Sequence, residues 1–371
     1  MGDGSGGIDN EGSRPISKRY VVVIIVMVVA CIMLVGISYL MLDILSGMVV
    51  TPKTRVEETA AAGTLIVPLH DTVIRCMQVS VDGRYLAYIE ETEAGGNSVL
   101  QVIELDGERR DVFEKEIDGE RLAWLGGSPG LVYEDDGDIH RLDAAVGTGE
   151  NLTASPEYDN DPIPSPDGGY VLWTRAFGGS SDFWVMGANG ADKTIVADAQ
   201  DLAVWDPVGL RVMSRSDTAA FSGEESDRDI LQTAVPGQER WEVYAECEGE
   251  VEFIWWPARD TVLYVGPLAV KGGDVIKGVW SRVELPDRIK EVASTDGLGS
   301  DVSNYLFYPA RDDELLAYVG ENGLEYLDYE ERIIHRYTSL EAEPPLAWNE
   351  ADGELFYVGM DGIYLVELGE E

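Results

Sequence analysis

The sequence predicts an all-β protein built from a repeated four-stranded unit, and three observations support this prediction. Seven turn-centred segments follow one another between residues 79 and 353. Each is followed by a short run of β-branched and aromatic residues that suits a buried strand, as in Tyr170–Trp173. Successive copies are about forty to fifty residues apart, which is the period of a four-stranded β-propeller blade. No amphipathic helix of useful length is predicted after residue 64.

The N-terminal region precedes the repeats and predicts a membrane anchor. An apolar run, Val21–Leu42, is long enough to cross a bilayer as one helix. It follows Arg14, Lys18 and Arg19, and this positive flank predicts that the N-terminus lies inside and the remaining chain lies outside the cytoplasm. We therefore expect a disordered cytoplasmic tail over 1–20, a single-pass anchor over 21–47, a stalk over 48–63 and an extracytoplasmic propeller over 64–371.

Two kinds of processing compete with an uncleaved anchor. A cleaved secretory signal would have a shorter apolar core and a small-residue cleavage site soon after it. A lipoprotein signal is suggested by Val28–Cys31, which resembles a lipobox. However, Ile32–Val35 continues the apolar run past the cysteine, where a mature lipoprotein would become polar. The sequence thus favours the anchor and leaves processing at Cys31 open.

The clearest copy of the repeat is Asn151–Arg175. Pro166 has a fixed φ, and Asp167–Gly168 adopts positive φ at little cost, so the chain is expected to reverse there. The other six turns also carry Gly, Pro or Asp, and they fall at Asp82–Gly83, Ser128–Gly130, Asp206–Gly209, Pro257–Asp260, Pro309–Asp312 and Glu350–Gly353.

This unit resembles the TolB-type propeller repeat, a relative of the WD-repeat blades. The resemblance is carried by Asn151–Thr153, Asp161–Pro162, Ser165–Gly168 and Phe183–Met186. In that family an aromatic residue usually precedes the Ser-Pro-Asp-Gly turn. Here Pro164 takes that place, whereas Trp205 and Trp348 restore it in other copies. The resemblance covers about residues 64–368 and implies the fold, but no particular function.

The number of copies predicts the number of blades. The last copy leaves room for only three strands before the C-terminus, so its outermost strand must come from elsewhere in the chain. Thr64–Leu69 precedes the first copy and is apolar enough to complete it, which would remove two open sheet edges. We expect seven four-stranded antiparallel blades, with six or eight as the alternatives because two copies are degraded.

The charge excludes one class of partner. The chain has 69 Asp and Glu against 27 Lys and Arg, a formal net charge of −42. Such a surface repels phosphate backbones, so we expect no nucleic-acid binding. A high-salt host and an acidic exported protein both remain compatible with this excess, because salt screens the repulsion between carboxylates.

Few residues of the sequence are candidates for catalysis, disulfide formation or metal binding. Cys31, Cys76 and Cys247 make no disulfide framework, and His140 falls at a packing position of the third strand of its repeat. Glu134–Asp138 is faintly similar to a calcium loop but is better explained as a solvated hairpin tip. Asp161 is expected to bind nearby backbone N–H groups. We therefore expect no catalytic residues, no cofactor and no metal site.

Two classes of function fit these observations. The first is a membrane-tethered scaffold that binds another protein or a cell-envelope component. The second is a propeller enzyme, or a glycan or ligand sensor, with its site in the central funnel. A serine peptidase of the kind capped by propellers would need a Gly-x-Ser-x-Gly motif and a hydrolase domain, and the chain shows neither.

The binding face is predicted from loop length. In a four-stranded meander, the connections after the second and fourth strands emerge at one end of the blade. The long connections 214–229, 266–277 and 293–303 all follow such strands, and long loops on a rigid scaffold commonly carry binding. The residues expected to contact the partner on that face are Phe177, Phe221, Arg228, Lys271 and Lys277.

Overall fold

The chain from residue 55 onward alternates short apolar strands with Gly- and Asp-containing turns. A computed structural model describes residues 55–368 with gaps at 93–97, 108–109, 179, 199–202, 207–210, 218–228, 237–241, 247–252, 259–260, 268–269, 272–273, 276–277, 285–287, 295–306, 311–314, 321–322, 329–332 and 338. Over residues 243–307 the description covers the backbone. The predicted tail, anchor and first half of the stalk lie outside the described residues. Within the described ranges, no helix has the length and apolarity needed to cross a membrane.

Two short strands, β1 (Arg55–Thr59) and β2 (Thr64–Pro68), precede a series of meanders. The first sheet contains β3 (Thr72–Val79), β4 (Tyr85–Thr92), β5 (Ser98–Glu104) and β6 (Arg110–Ile117). The second contains β7 (Leu122–Trp124), β8 (Gly130–Asp135), β9 (Asp138–Asp143) and β10 (Thr148–Asn151). The third contains β11 (Tyr158–Pro164), β12 (Tyr170–Phe177), β13 (Ser180–Gly187) and β14 (Thr194–Asp198).

The fourth sheet contains β15 (Ala203–Trp205), β16 (Val212–Asp217), β17 (Asp229–Ala234) and β18 (Glu242–Glu246). The fifth contains β19 (Phe253–Ala258), β20 (Thr261–Pro267), β23 (Gly278–Glu284) and β24 (Arg288–Ser294), with the hairpin β21 (Val270–Lys271) and β22 (Asp274–Val275) inserted. The sixth contains β25 (Phe307–Pro309), β26 (Leu315–Gly320), β27 (Gly323–Asp328) and β28 (Ile333–Tyr337). The last contains β29 (Glu343–Asn349), β30 (Glu354–Gly359) and β31 (Gly362–Glu367).

These sheets form an all-β propeller. The first strands of neighbouring sheets contact one another: β29 contacts β3, β3 contacts β7, and β7 contacts β11. The predicted closure is confirmed, because β2 pairs antiparallel with β31, with Thr64 opposite Leu365 and Pro68 opposite Gly362. An N-terminal strand thereby completes the last sheet and covers the edge that β31 would otherwise expose.

The predicted count of seven four-stranded blades is wrong. Six sheets are four-stranded antiparallel blades, whereas the sixth sheet in chain order has five strands. Its fifth strand is β1, which pairs in parallel with β28 from Arg55 opposite Ile333 to Thr59 opposite Tyr337. Arg55–Thr59 falls in the segment predicted to be stalk. The exposed, charged sequence of β1 carries no strand signal, and only a neighbouring edge recruits it.

The hydrophobic core lies between blades. Apolar residues of one sheet pack on those of the next, so that Tyr85 and Leu100 of the first sheet share a cluster with Trp124 and Leu131 of the second. Trp173 of the third sheet likewise packs with residues of the second sheet. The second sheet buries both of its faces against its neighbours, so its strands β7 and β8 are continuously apolar at their centres.

The contacts of the Ser-Pro-Asp-Gly turn explain why this motif is present in the third sheet. Ser165 Oγ donates to Asp167 Oδ1 at 2.6 Å and accepts from the Tyr170 N–H at 2.9 Å. Gly168 has a φ of 71°, and a Cβ there would lie 2.0 Å from the main-chain oxygen of Gly126 in the preceding sheet. Glycine is therefore required both by the backbone conformation and by the close approach of two turns.

Candidate functional site

The two ends of each blade differ, and we name them by their turns. The upper end carries the turn after the second strand and the connection into the first strand. The lower end carries the turns after the first and third strands. In the third sheet, the pairing of Tyr158 with Ala176 and of Phe177 with Ser180 places all four residues at the upper end.

The structure describes only some of the five residues that were predicted to bind a partner. Phe177 is the last residue of β12, and its side chain is 48% exposed. It therefore lies at the upper end, where the sequence predicted it. Lys271 lies in β21, where the backbone alone is described. Phe221, Arg228 and Lys277 lie outside the described residues. Of the five residues, the structure thus describes the side chain of Phe177 and the backbone of Lys271, which lies in the connection after a second strand.

Tyr158 is an upper-end aromatic residue that sequence analysis missed. It begins β11 and is 54% exposed. A Cβ added to Gly137 of the second sheet would lie 3.1 Å from Tyr158 Cδ2, so the ring is packed against a neighbouring hairpin. The position of Tyr158 is predictable from the sequence, because an aromatic residue that begins a first strand lies at the upper end.

A buried carboxylate, Glu134, joins the second and third sheets beside Tyr158. Glu134 Oε1 accepts the Asp161 N–H at 2.6 Å, and Oε2 accepts the Glu120 N–H at 3.2 Å. Burial raises the pKa of Glu134 above its ordinary value. The pKa of Tyr158 is raised too, first by burial and then by the negative charges of Glu134 and Asp118. The upper end of these two sheets thus has a negative potential around an exposed aromatic ring.

The predicted role of Asp161 is wrong. Asp161 Oδ1 lies 3.4 Å from Arg121 Nε, and Asp161 contributes its own N–H to Glu134 rather than a carboxylate to the backbone. The carboxylate that binds the connector is Asp138. Its Oδ1 accepts the Ser155 N–H at 2.9 Å, and its Oδ2 accepts Asn151 Nδ2 at 2.7 Å. Register across the β8–β9 hairpin, which the repeat alone does not reveal, decides which acid reaches the connector.

The acidic segment Glu134–Asp138 forms a hairpin turn, as predicted, but the whole segment is not solvated, because Glu134 is buried. Asp136 and Gly137 have φ values of 54° and 73°, which suits a two-residue turn with both centres at positive φ. Although burial opposes it, hydrogen bonds from Ser155, Asn151 and Thr153 lower the pKa of Asp138. Among the described residues, no group of three or more His, Cys, Asp or Glu side chains has the arrangement of a metal site.

The glycosylation triplet Asn151–Thr153 is part of the same network. Asn151 Nδ2 donates to Asp138, and Asn151 Oδ1 accepts the Ala154 N–H at 2.8 Å. Thr153 is buried, and its Oγ1 accepts the Ile139 N–H at 2.9 Å. A glycan on Asn151 Nδ2 would replace one of the two hydrogens beside Asp138, and in this structure the side chains of Asn151 and Thr153 bind within the chain.

Among the residues whose side chains are described, the most buried ionic pair links two strands of the third sheet. Asp159 is 0% exposed and accepts two hydrogen bonds from Arg175, at 2.7 Å from Nε and 2.8 Å from Nη2. Trp173 Nε1 also donates to Asp159, at 2.9 Å. The Arg175 guanidinium in turn lies 4.6 Å from the centre of the Trp184 ring. With every partner internal, this cluster stabilises the fold and leaves no open side for a substrate.

His140 and Cys76 occupy packing environments, in line with the sequence interpretation. His140 stacks on Tyr133, with ring centres 5.5 Å apart, and burial lowers its pKa. Cys76 Sγ donates a weak hydrogen bond to the Leu122 main-chain oxygen at 3.8 Å, and burial raises the pKa of the thiol. A protonated thiol is a poor nucleophile, so Cys76 lacks the activation that a nucleophilic cysteine requires.

Comparison with known proteins supports the fold. No protein-family model matches the chain, and no curated protein matches it in sequence. An oligogalacturonate lyase in complex with manganese is 13% identical, with 84% of this chain and 97% of that chain covered and a TM-score of 0.56. The Pyrococcus horikoshii acylaminoacyl peptidase is 11% identical, with 79% and 50% covered and a TM-score of 0.55.

TolB from Acinetobacter baumannii is also among the similar structures. It is 18% identical, this chain spans 63% of its length with 68% of this chain covered, and the TM-score is 0.45. Identities this low show the fold alone. Since the same fold carries a lyase and a peptidase, the comparisons show that this chain is a β-propeller and do not assign it an activity.

Proposed function

We propose that this chain is a membrane-anchored, extracytoplasmic β-propeller that acts as a non-catalytic scaffold for a protein or another cell-envelope component. The observation that carries the proposal is the upper end of the second and third sheets. There, two half-exposed aromatic side chains, Tyr158 and Phe177, lie at the end of one blade beside the carboxylates around Glu134. Exposed aromatic residues on a rigid sheet are the usual anchors of protein interfaces.

The described ionisable groups support a scaffold rather than an enzyme. A general acid or base must lie within hydrogen-bond reach of a substrate proton. Asp159 is instead bound to Arg175 and Trp173, and Glu325 is bound to Arg336 at 2.5 Å and to Tyr318 at 2.7 Å. These bonds tie strands within a sheet, so the charges act as structural links.

The location outside the cytoplasm rests on the N-terminal sequence. The apolar run Val21–Leu42 with its positive flank supports a single-pass anchor. The strand β1 begins at Arg55 and adds to the sixth sheet over five residue pairs. A short chain therefore separates the proposed anchor from the propeller, which would keep a bound partner close to the membrane.

The experiment uses the full-length chain in its membrane and measures crosslinked partner after solubilisation. Tyr158→Ser combined with Phe177→Ser should reduce partner recovery at least tenfold, because two interface anchors are each worth about 1 kcal/mol or more. The matched control is Val146→Ser combined with Ile195→Ser, which removes exposed apolar side chains from the lower end. Loss of partner in the control but not in the upper-end variant would contradict the proposed face.

The anchor is tested separately by mass spectrometry of the membrane-extracted chain and by protease treatment of intact cells. An uncleaved chain whose propeller is digested from outside is the expected result. A mature chain that starts at lipid-modified Cys31 would contradict the transmembrane anchor but leave the upper-end interface untouched.

A further inference from the structure

A cavity of about 160 Å³ lies between the first strands of three neighbouring sheets, β25, β29 and β3. It extends to the turns that follow β3 and β29, so it is a feature of the lower end and is separate from the upper-end surface proposed above. The side chains that line it include Met77, Gln78, Ser80, Tyr308, Trp348 and Glu350. The wall therefore combines two aromatic rings with several hydrogen-bonding groups.

The two aromatic rings are held in place by neighbouring strands. Trp348 Nε1 donates to the Tyr308 main-chain oxygen at 2.7 Å, and the Trp348 ring meets Tyr326 edge-on with ring centres 6.1 Å apart. Because its N–H is already bound, Trp348 offers the cavity an apolar ring surface. Burial raises the pKa of Tyr308 to about 12, and its hydroxyl already interacts with the Leu346 main chain. A protonated phenol is both a donor and an acceptor, so it can bind a ligand in addition to Leu346.

The polar groups of the wall supply both donors and acceptors. Gln78 Oε1 accepts the Trp124 N–H at 3.3 Å, and the carboxamide NH₂ of this lining residue remains a donor group. Glu350 already interacts within the chain, but a carboxylate offers about four acceptor positions, so it can also accept from a hydroxyl group. No Lys or Arg is among the described residues that line the cavity.

We propose that this cavity binds one neutral sugar residue. Aromatic rings pack on the C–H faces of a sugar ring, while amide, hydroxyl and carboxylate groups match its hydroxyl groups. An anionic ligand would meet no cation in the described wall and an acidic chain around it. The volume corresponds to about five water molecules, on the order of a single sugar ring. This function goes beyond the scaffold role and does not depend on it.

The test is ligand-observed saturation-transfer NMR on the full-length chain in detergent. The probes are methyl α-D-glucopyranoside and methyl β-D-galactopyranoside, with D-glucuronate and D-glucosamine as anionic and cationic comparisons. At least one neutral glycoside should receive saturation at about 10 mM and bind more tightly than either charged sugar. Tyr308→Phe should weaken binding about five- to tenfold, because one buried hydrogen bond to the ligand is lost.

A matched pair of variants separates ligand contact from fold stability. Trp348→Phe and Trp205→Phe each remove an indole N–H that binds the preceding blade, but only Trp348 lines the cavity. Binding should weaken in the first variant and persist in the second. If Trp348→Phe does not fold, Tyr308→Phe decides the question.

Three results would each overturn the proposal. They are no saturation of either neutral glycoside at about 10 mM, tighter binding of a charged sugar, and binding unchanged in both Tyr308→Phe and Trp348→Phe. None of these outcomes affects partner recovery through Tyr158 and Phe177, so the scaffold role and the sugar site fail separately.

Discussion

Trp348 Nε1 donates a 2.7 Å hydrogen bond to the main-chain oxygen of Tyr308 in the preceding sheet. The same bond recurs from Trp124 to Gln78, at 3.1 Å, and from Trp205 to Ile163, at 2.8 Å. Each indole precedes the turn after a first strand and reaches back to the first strand of its neighbour. The aromatic position of the repeat therefore links successive blades, in addition to filling the core between them.

Loss of one indole bond should have a measurable cost. Trp348→Phe keeps an aromatic ring but leaves the Tyr308 carbonyl without this donor, so the free energy of unfolding should fall by about 1 kcal/mol or somewhat more. Urea denaturation followed by circular dichroism measures it. Trp184→Phe is the matched control, because Trp184 Nε1 is buried without a hydrogen-bond partner. Equal losses in the two variants would show that the bond to Tyr308 contributes nothing.

Replacing only one partner of the buried Asp159–Arg175 pair should lower the free energy of unfolding substantially. Asp159→Asn leaves the Arg175 guanidinium, 11% exposed, without its charged partner, and the expected loss of stability is about 3–5 kcal/mol. Adding Arg175→Met should restore part of this loss, because no uncompensated charge then stays buried. Denaturation of the single and double variants tests it. A double variant that is less stable than Asp159→Asn would argue against a cost that arises from the unpaired charge.

Glu134 should make stability depend on pH. Its pKa is raised in the folded state, so the folded protein holds a proton there more tightly than the unfolded chain does. This contribution is complete below the ordinary carboxyl pKa and is lost as pH rises through the raised value. The stability of the unsubstituted protein relative to Glu134→Gln should therefore fall as the pH rises above the ordinary carboxyl pKa of about 4.3.

The control for this prediction is Glu150→Gln. It removes the same single negative charge from the protein, but from a side chain that is 61% exposed. Thermal melts at several pH values compare the three proteins. The difference between the unsubstituted protein and Glu150→Gln should stay nearly constant with pH. A difference for Glu134→Gln that is flat, or that grows as pH rises, would contradict the prediction.

The two N-terminal strands should differ in their contribution to stability. A chain that starts at residue 60 loses β1, whose side chains are mostly exposed, whereas one that starts at residue 70 also loses β2. Val67 of β2 is 7% exposed and packs in a cluster with Ile74 and Met77. Removing β2 should therefore cost about 2–5 kcal/mol beyond the loss of β1. Equal melting of the two truncated chains would refute the role of β2 in closure.

Much of the architecture could be predicted because it depends on local chemistry. Asp167–Gly168 specifies a reversal through backbone conformation, and Tyr170–Trp173 specifies a strand through its β-branched and aromatic side chains. Both signals lie within a few residues of each other. The incomplete last repeat also required an outside strand, and Thr64–Pro68 was apolar enough to be identified.

The candidate site was less accessible to prediction. Phe177 was placed correctly at the upper end because the meander determines the end at which each turn emerges. Tyr158 was missed because the predicted face rested on loop length and not on the residues that begin first strands. Asp161 was assigned a role that Asp138 fulfils, since the β8–β9 register, and not the order of acids in the sequence, decides which carboxylate reaches Ser155.

The sequence by itself determined an all-β propeller with tight lower turns, an acidic surface and a closing N-terminal strand, because composition, turn chemistry and strand patterns are properties of neighbouring residues. Only the tertiary structure decided that β1 adds a fifth strand to the sixth sheet, that Asp159 and Arg175 are paired inside the third, and that Tyr308 and Trp348 border one cavity. These relationships join segments that are far apart in the chain. Their energy comes from the register and burial of whole strands, which no local pattern encodes.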